Sequence, residues 1–108
     1  MLGTNDAKFN NWNELGYQKA ASKMIETLLS KFGQVYICTP PPIYKYSDMW
    51  IQDVVNTELP SIVERLGMTY NVQVIDVFRA MGGAELRRPD LFAADGVHPN
   101  DLGYEQIA

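Results

Sequence analysis

"QVYICTPPP", residues 34–42, decides the fold. Gln34–Thr39 is a short run rich in β-branched and aromatic side chains, the composition of a buried strand. Pro40, Pro41 and Pro42 close it, because proline has no backbone N–H to give a sheet. Upstream, from Asn13 to Phe32, the apolar positions Tyr17, Ala21, Met24, Ile25, Leu28, Leu29 and Phe32 fall at helical spacing. Asn11 or Asn13 can cap that helix, and Gly33 suits its stop. Downstream a second helical pattern runs from about Met49 to Leu66 through Ile51, Val54, Val55, Leu59, Ile62 and Val63. Pro60 should kink or restart it, and Gly67 should end it. "VQVIDVF", residues 72–78, reads as a second strand. A loop with Gly82, Gly83 and Pro89 leads to Asp95–His98, and a last helix starts near Asp101.

Strands separated by amphipathic helices imply an α/β domain with a parallel sheet. Residues 1–108 read as one domain with no linker and no repeat. Ligand sites in such sheets gather at the carboxyl ends of strands. Gly3–Asp6, Thr39–Pro42 and the loop after Phe78 are each expected to follow a strand and to share one rim.

Hydrophobic residues make up 46% of the chain and charged residues 20%, an ordinary globular composition. The net charge of −4 and the scattered basic residues weigh against nucleic acid as a partner. No run approaches ~18 apolar residues, so no membrane span is expected. No basic–apolar–small leader follows Met1, which leaves the localisation unknown. Cys38, the single cysteine, reads as a small buried hydrophobe. One histidine, one distant cysteine and no paired spacing give no expectation of a metal or cofactor. Gly82-Gly83 opens no helix pattern, so a nucleotide-binding loop fails its context.

The chemistry-bearing residues sit at the two ends. Asp95 and His98, three apart in "DGVH", are close enough for the carboxylate to fix the imidazole tautomer and leave the other nitrogen to take a hydroxyl proton. The same spacing also suits local turn partners. In "LGTNDA", residues 2–7, an asparagine amide in a tight turn can donate to an oxyanion while Asp6 ties the loop down; equally it can cap the next helix. "TPPPIYKYSDMW", residues 39–50, places Tyr44, Tyr46 and Trp50 after a strand, as a sugar-facing wall or as a packed loop. Trp12, just beyond the Asn5 loop, is a similar candidate.

Together, "LGTND" and "DGVHPNDLGY" resemble the SGNH (GDSL-type) hydrolase family, and "TPPPIY" with "PDLFAADGVHPNDLGYEQIA" is similar to its carbohydrate acetylesterase and sialate O-acetylesterase-like branch. The resemblance implies a flavodoxin-like three-layer α/β/α fold and serine-dependent hydrolysis of acyl esters, with an acylated small molecule or carbohydrate as partner. It implies Asn5 as the oxyanion asparagine, His98 as general base, Asp95 as its orienting acid, and Gly3 and Asp6 as flanking block positions.

The family's nucleophile lies in a Gly-Asp-Ser block, and no such block occurs here. Ser22, Ser30, Ser47 and Ser61 all lack that context. The chain therefore reads as a truncated family domain whose first strands are missing, inactive alone, with a non-catalytic oligomerising or carbohydrate-binding module as the alternative. An unpaired strand stub at Met1–Thr4 and uncovered helix faces at Met24, Ile25, Leu28 and Leu29, or at Ile51, Val55 and Ile62, imply a homo-oligomer.

Overall fold

Asn13 starts the first helix. In the computed structural model, which describes residues 2–108, its extended backbone and its side-chain oxygen, accepting from Gly16 N–H at 2.8 Å, launch α1 (Glu14–Lys31). Phe32 caps the other end and Gly33 follows.

Two short strands form a parallel pair, β1 (Tyr36–Cys38) and β2 (Gln73–Ile75), with Ile37 opposite Val74. Both are shorter than the sequence suggests. Thr39 N–H still donates to Ile75 O at 3.1 Å, after which the prolines have nothing to donate. At the other strand Asp76 ends the ladder: its Oδ1 accepts from Arg79 N–H and starts a helical turn, α3 (Val77–Ala80). Val77 and Phe78 are thus helical, not strand. Buried Thr39 locks the two strand ends together, with Oγ1 donating to Asp76 Oδ1 at 3.2 Å and accepting from Phe78 N–H at 2.8 Å.

The crossover between the strands is α2 (Leu59–Tyr70), entered through a wide π-type turn at Val54–Glu58. There Leu59 N–H reaches back to Val54 O. Pro60 sits in the first turn of α2, where its missing N–H costs least, so the proline restarts the helix. Gly67 does not end it. The helix runs on to Tyr70, and Asn71, at φ 51°, takes the left-handed cap. Gly67 instead marks where α2 crosses β2: a β-carbon there would collide with Val74 Cγ2.

Alternate residues of β1 serve opposite faces, as a pleat requires. Ile37 packs with Ile25 of α1 and with Ile62 and Leu66 of α2. Cys38 packs with Val77, Met81, Leu91 and Phe92 beneath α4 (Asp101–Ile107). Helices therefore cover both sides of the sheet. Cys38 is half-buried, not buried as read from the sequence. On the second helical pattern Val55, in the wide turn, and Ile62, in α2, are buried, and Ile51 is half-buried against the core. On α1 only Ile25 is buried, while Met24 and Leu29 remain exposed. Thus the uncovered face expected on either helix exists on α1 alone. Leu2–Thr4 form no strand, and Met1 lies outside the described residues, so the expected strand before Gly3–Asp6 is not seen there. No described helix is long and apolar enough to cross a membrane.

Candidate active site

The site is built on the loop leaving the carboxyl end of β1. Pro40, Pro42 and Ile43 are buried. Asn56, inside the wide turn, clamps Ile43 in both directions: its Oδ1 accepts from Ile43 N–H at 2.7 Å and its Nδ2 donates to Ile43 O at 2.8 Å. Gln52 Nε2 donates to the same carbonyl at 2.8 Å. This side-chain imitation of a strand pairing holds the proline loop where no backbone ladder can. Nothing in the local sequence singles Asn56 out, because it lies within a helical pattern.

The held loop then receives the histidine turn. Tyr44 N–H donates to Gly96 O at 2.7 Å, and Lys45 Nζ donates to Ala94 O at 2.5 Å. Gly96 has φ +68°, and a β-carbon there would lie 2.8 Å from Lys45 Cγ and 3.0 Å from Lys45 N, so both the turn and the close approach require glycine. On its other side the turn is closed by Ala93 N–H donating to His98 O at 2.8 Å and by a bridge between Phe92 and Pro99. Asn100 ties it to α4, accepting from Gly103 N–H and donating to Asp90 O.

Within this frame Asp95 is fully engaged. Oδ1 accepts from Val97 N–H at 2.9 Å and from His98 N–H at 3.0 Å, while Oδ2 lies 2.6 Å from His98 Nδ1. The hydrogen bond with the imidazole, followed by the two backbone N–H groups, holds the Asp95 carboxyl down at about 2. An ionised Asp95 accepts from Nδ1–H, so in the neutral imidazole Nε2 is the nitrogen without a proton. The His98 side chain is exposed.

The far end of the chain comes to the same core. Ala7 and Val97 belong to one buried cluster with Ile43, Val55 and Leu59, so the segments bearing Asn5 and His98 are joined through it. Gly3, at φ +126°, packs against Leu59 and the Tyr17 hydroxyl, and its carbonyl accepts from Asp6 N–H and Ala7 N–H to close a turn around Asn5. Asn5 itself is exposed. The turn is tied by that carbonyl. The Asp6 side chain is exposed and close enough to Tyr17 that its charge adds to burial in raising the phenol's pKa.

The aromatic candidates separate. Trp12 packs on Tyr17 and reaches into two core clusters. Tyr44 stacks against Phe92 with ring centroids 4.5 Å apart, and its hydroxyl donates to Met81 O and accepts from Arg88 N–H. Tyr46 is 81% exposed. Trp50 alone meets the histidine, edge to face, at 6.3 Å and 82°. Two of the four serine hydroxyls donate locally, Ser30 to Thr27 O and Ser61 to Thr57 O, and Ser47 accepts from Met49 N–H. Among the described residues no group of three His, Cys, Asp or Glu side chains is placed to hold a metal.

The profile of the GDSL-like lipase/acylhydrolase family matches residues 1–106. The chain belongs to this family. An acetylxylan esterase of Xylanibacter ruminicola is 28% identical over 99% of the chain. The crystal structure of a lipase/acylhydrolase from Enterococcus faecalis superposes on 95% of it, at TM-score 0.75 and 28% identity. An alpha/beta hydrolase enzyme from the metagenome of Lake Arreo, Spain, superposes on 89%, at TM-score 0.69 and 17% identity, a likeness of fold. The chain spans 26% of the length of the acetylxylan esterase and 52% and 44% of the two solved chains. These neighbours agree with the α/β class and parallel sheet read from the sequence.

Proposed function

We propose that residues 1–108 carry the proton-handling half of a serine-dependent carboxylic ester hydrolase acting on acylated small molecules, with O-acetylated carbohydrate as the substrate class. The observation that carries this is the 2.6 Å contact between Asp95 Oδ2 and His98 Nδ1 on an exposed side chain; in the neutral imidazole it places the proton on Nδ1 and the lone pair on Nε2. In the reaction, Nε2 takes the proton of an attacking serine hydroxyl as the hydroxyl oxygen bonds to the acyl carbon. The proton is then returned to the departing sugar oxygen. Water repeats the cycle to release acetate. Asp95 stabilises the imidazolium that forms twice along the way. The Asn5 amide donates to the carbonyl oxygen as it becomes an oxyanion. The carbohydrate assignment is supported by the name of the Xylanibacter relative and by the exposed Tyr46 near the loop.

The attacking serine is not among these residues, which contain no Gly-Asp-Ser block. On this reading the 108 residues alone hydrolyse esters poorly. Fluorophosphonate labelling followed by mass spectrometry tests the assignment: no serine of this chain should be modified. Labelling of Ser22, Ser30, Ser47 or Ser61 would move the nucleophile into the chain.

The same absence favours one other reading, a non-catalytic module that keeps the fold for association. Self-association belongs to both readings. The edge of β1 turned away from β2 and the exposed side of α1 flank a groove of about 490 Å³, lined by Leu2, Tyr17, Met24, Ile37 and Cys38. A second copy of this chain, presenting the same edge and the same apolar helix face, is the occupant we assign to it.

A further inference from the structure

Trp50 joins the two ends of the site. Its backbone pairs with Lys8 in an antiparallel bridge, flanked by Ile51 N–H donating to Ala7 O at 2.8 Å and Phe9 N–H donating to Met49 O at 3.2 Å. The Lys8 ammonium lies over the indole ring, 5.3 Å from its centroid, a distance at which a cation is drawn to the π face. The indole packs against the cluster that contains both Ala7 and Val97, and its Nε1 is closed off from solvent with no hydrogen-bond partner among the described residues. The ring thus has its backbone held by the segment that follows Asn5, a cation over it and a core beside it. The His98 imidazole meets this fixed plate at 82°.

His98 needs such a plate. Its side chain is 63% exposed, and its one side-chain hydrogen bond, to Asp95, fixes Nδ1 but leaves the ring free to swing about that contact. A swing of the ring moves Nε2, the atom that must meet a hydroxyl within about 3 Å. An edge-to-face aromatic contact restricts this swing. We propose that Trp50 is a positioning residue: it sets the plane of the His98 ring and keys it to the Gly3–Lys8 segment that bears Asn5. The role differs from that of a sugar-facing wall, because the indole is half-buried and committed to Lys8 and His98. It rests on the reading of His98 as the base.

His98 is the chain's only histidine, so its imidazole resonances need no assignment. The test is the exchange rate of the Nδ1 proton with solvent, measured by NMR on the 108-residue chain at neutral pH. The wild type should show a protected Nδ1 proton bonded to Asp95. Trp50→Leu, which keeps apolar bulk without an aromatic face, should speed exchange roughly two- to tenfold, the range expected for loss of one aromatic pair. Trp50→Phe should restore a rate near that of the wild type, with the exchange protection of the Val97 and Gly103 amides retained in both variants to show that the turn and α4 remain. Equal rates in all three proteins, or a Phe variant as fast as the Leu variant, would overturn the positioning role while leaving the dyad intact. An unprotected Nδ1 proton in the wild type would overturn the dyad itself, and the role with it.

Discussion

Asp95 grips His98 twice, through Oδ2 to the ring Nδ1 at 2.6 Å and through Oδ1 to the backbone N–H at 3.0 Å. The two bonds use different oxygens and different parts of the histidine. The carboxylate therefore fixes the tautomer of the ring and the turn that carries it, and both effects depend on its charge.

That charge gives a pH signature. The folded-state pKa of Asp95 is held at about 2, below the ordinary 3.8. Its contribution to stability is therefore complete above about 4 and is lost as pH falls through the folded value near 2. Urea midpoints of the wild type and Asp95→Asn should differ at pH 7 and converge toward pH 2. Because the carboxylate is half exposed, solvent screens the pair and the gap should be modest. A gap that widens on acidification would contradict the assignment.

Gly96→Ala should be costly. The substitution forces an L residue to φ +68° and pushes its β-carbon against Lys45. A loss of roughly 1–3 kcal/mol is expected, read from chemical denaturation. A neutral result would mean that the histidine turn is not seated on the loop after β1.

Asn56→Ala should destabilise by about 1–3 kcal/mol, because it strips the Ile43 N–H of its partner in a buried loop. Thermal melts of Asn56→Ala beside the exposed control Asn10→Ala would show it. Equal melting temperatures would refute the clamp.

These two positions mark the limit of what the sequence discloses. Element order, an asparagine cap at Asn11 or Asn13, and the proline stop were legible because each rests on local chemistry: spacing, a short polar acceptor, a missing N–H. The contact between Asp95 and His98 was legible because the two lie three positions apart. The extent of the second strand was not, since the β-branched pattern of residues 72–78 is overridden by one capping carboxylate, Asp76, whose partner lies in the next turn. Gly67 reads as a stop because glycine ends helices, yet here the reason is long-range contact with Val74. Asn56, Gln52 and Lys8 act on residues distant along the chain or across a loop, and no local pattern announces that.

Purified chain should sediment as a dimer at micromolar concentration, because the β1 edge and the α1 side bearing Met24 and Leu29 are open together. Analytical ultracentrifugation decides this. Only a monomer at every concentration would show that the groove beside α1 takes no second copy.

Turnover of p-nitrophenyl acetate by the 108-residue chain should stand little above background, since loss of a triad nucleophile removes several orders of magnitude of rate. Ordinary esterase turnover, abolished by one Ser→Ala substitution among Ser22, Ser30, Ser47 and Ser61, would show that the nucleophile is present after all.

The most direct test of the central claim is the protonation state of the single imidazole. Long-range ¹H–¹⁵N spectra near pH 8, above the ordinary histidine range, report which ring nitrogen carries the proton. The proton is expected on Nδ1, bonded to Asp95, with Nε2 bare, and that preference should be lost in Asp95→Ala. A wild-type ring protonated on Nε2, or one whose tautomers do not respond to Asp95→Ala, would contradict the role of Asp95 in orienting His98.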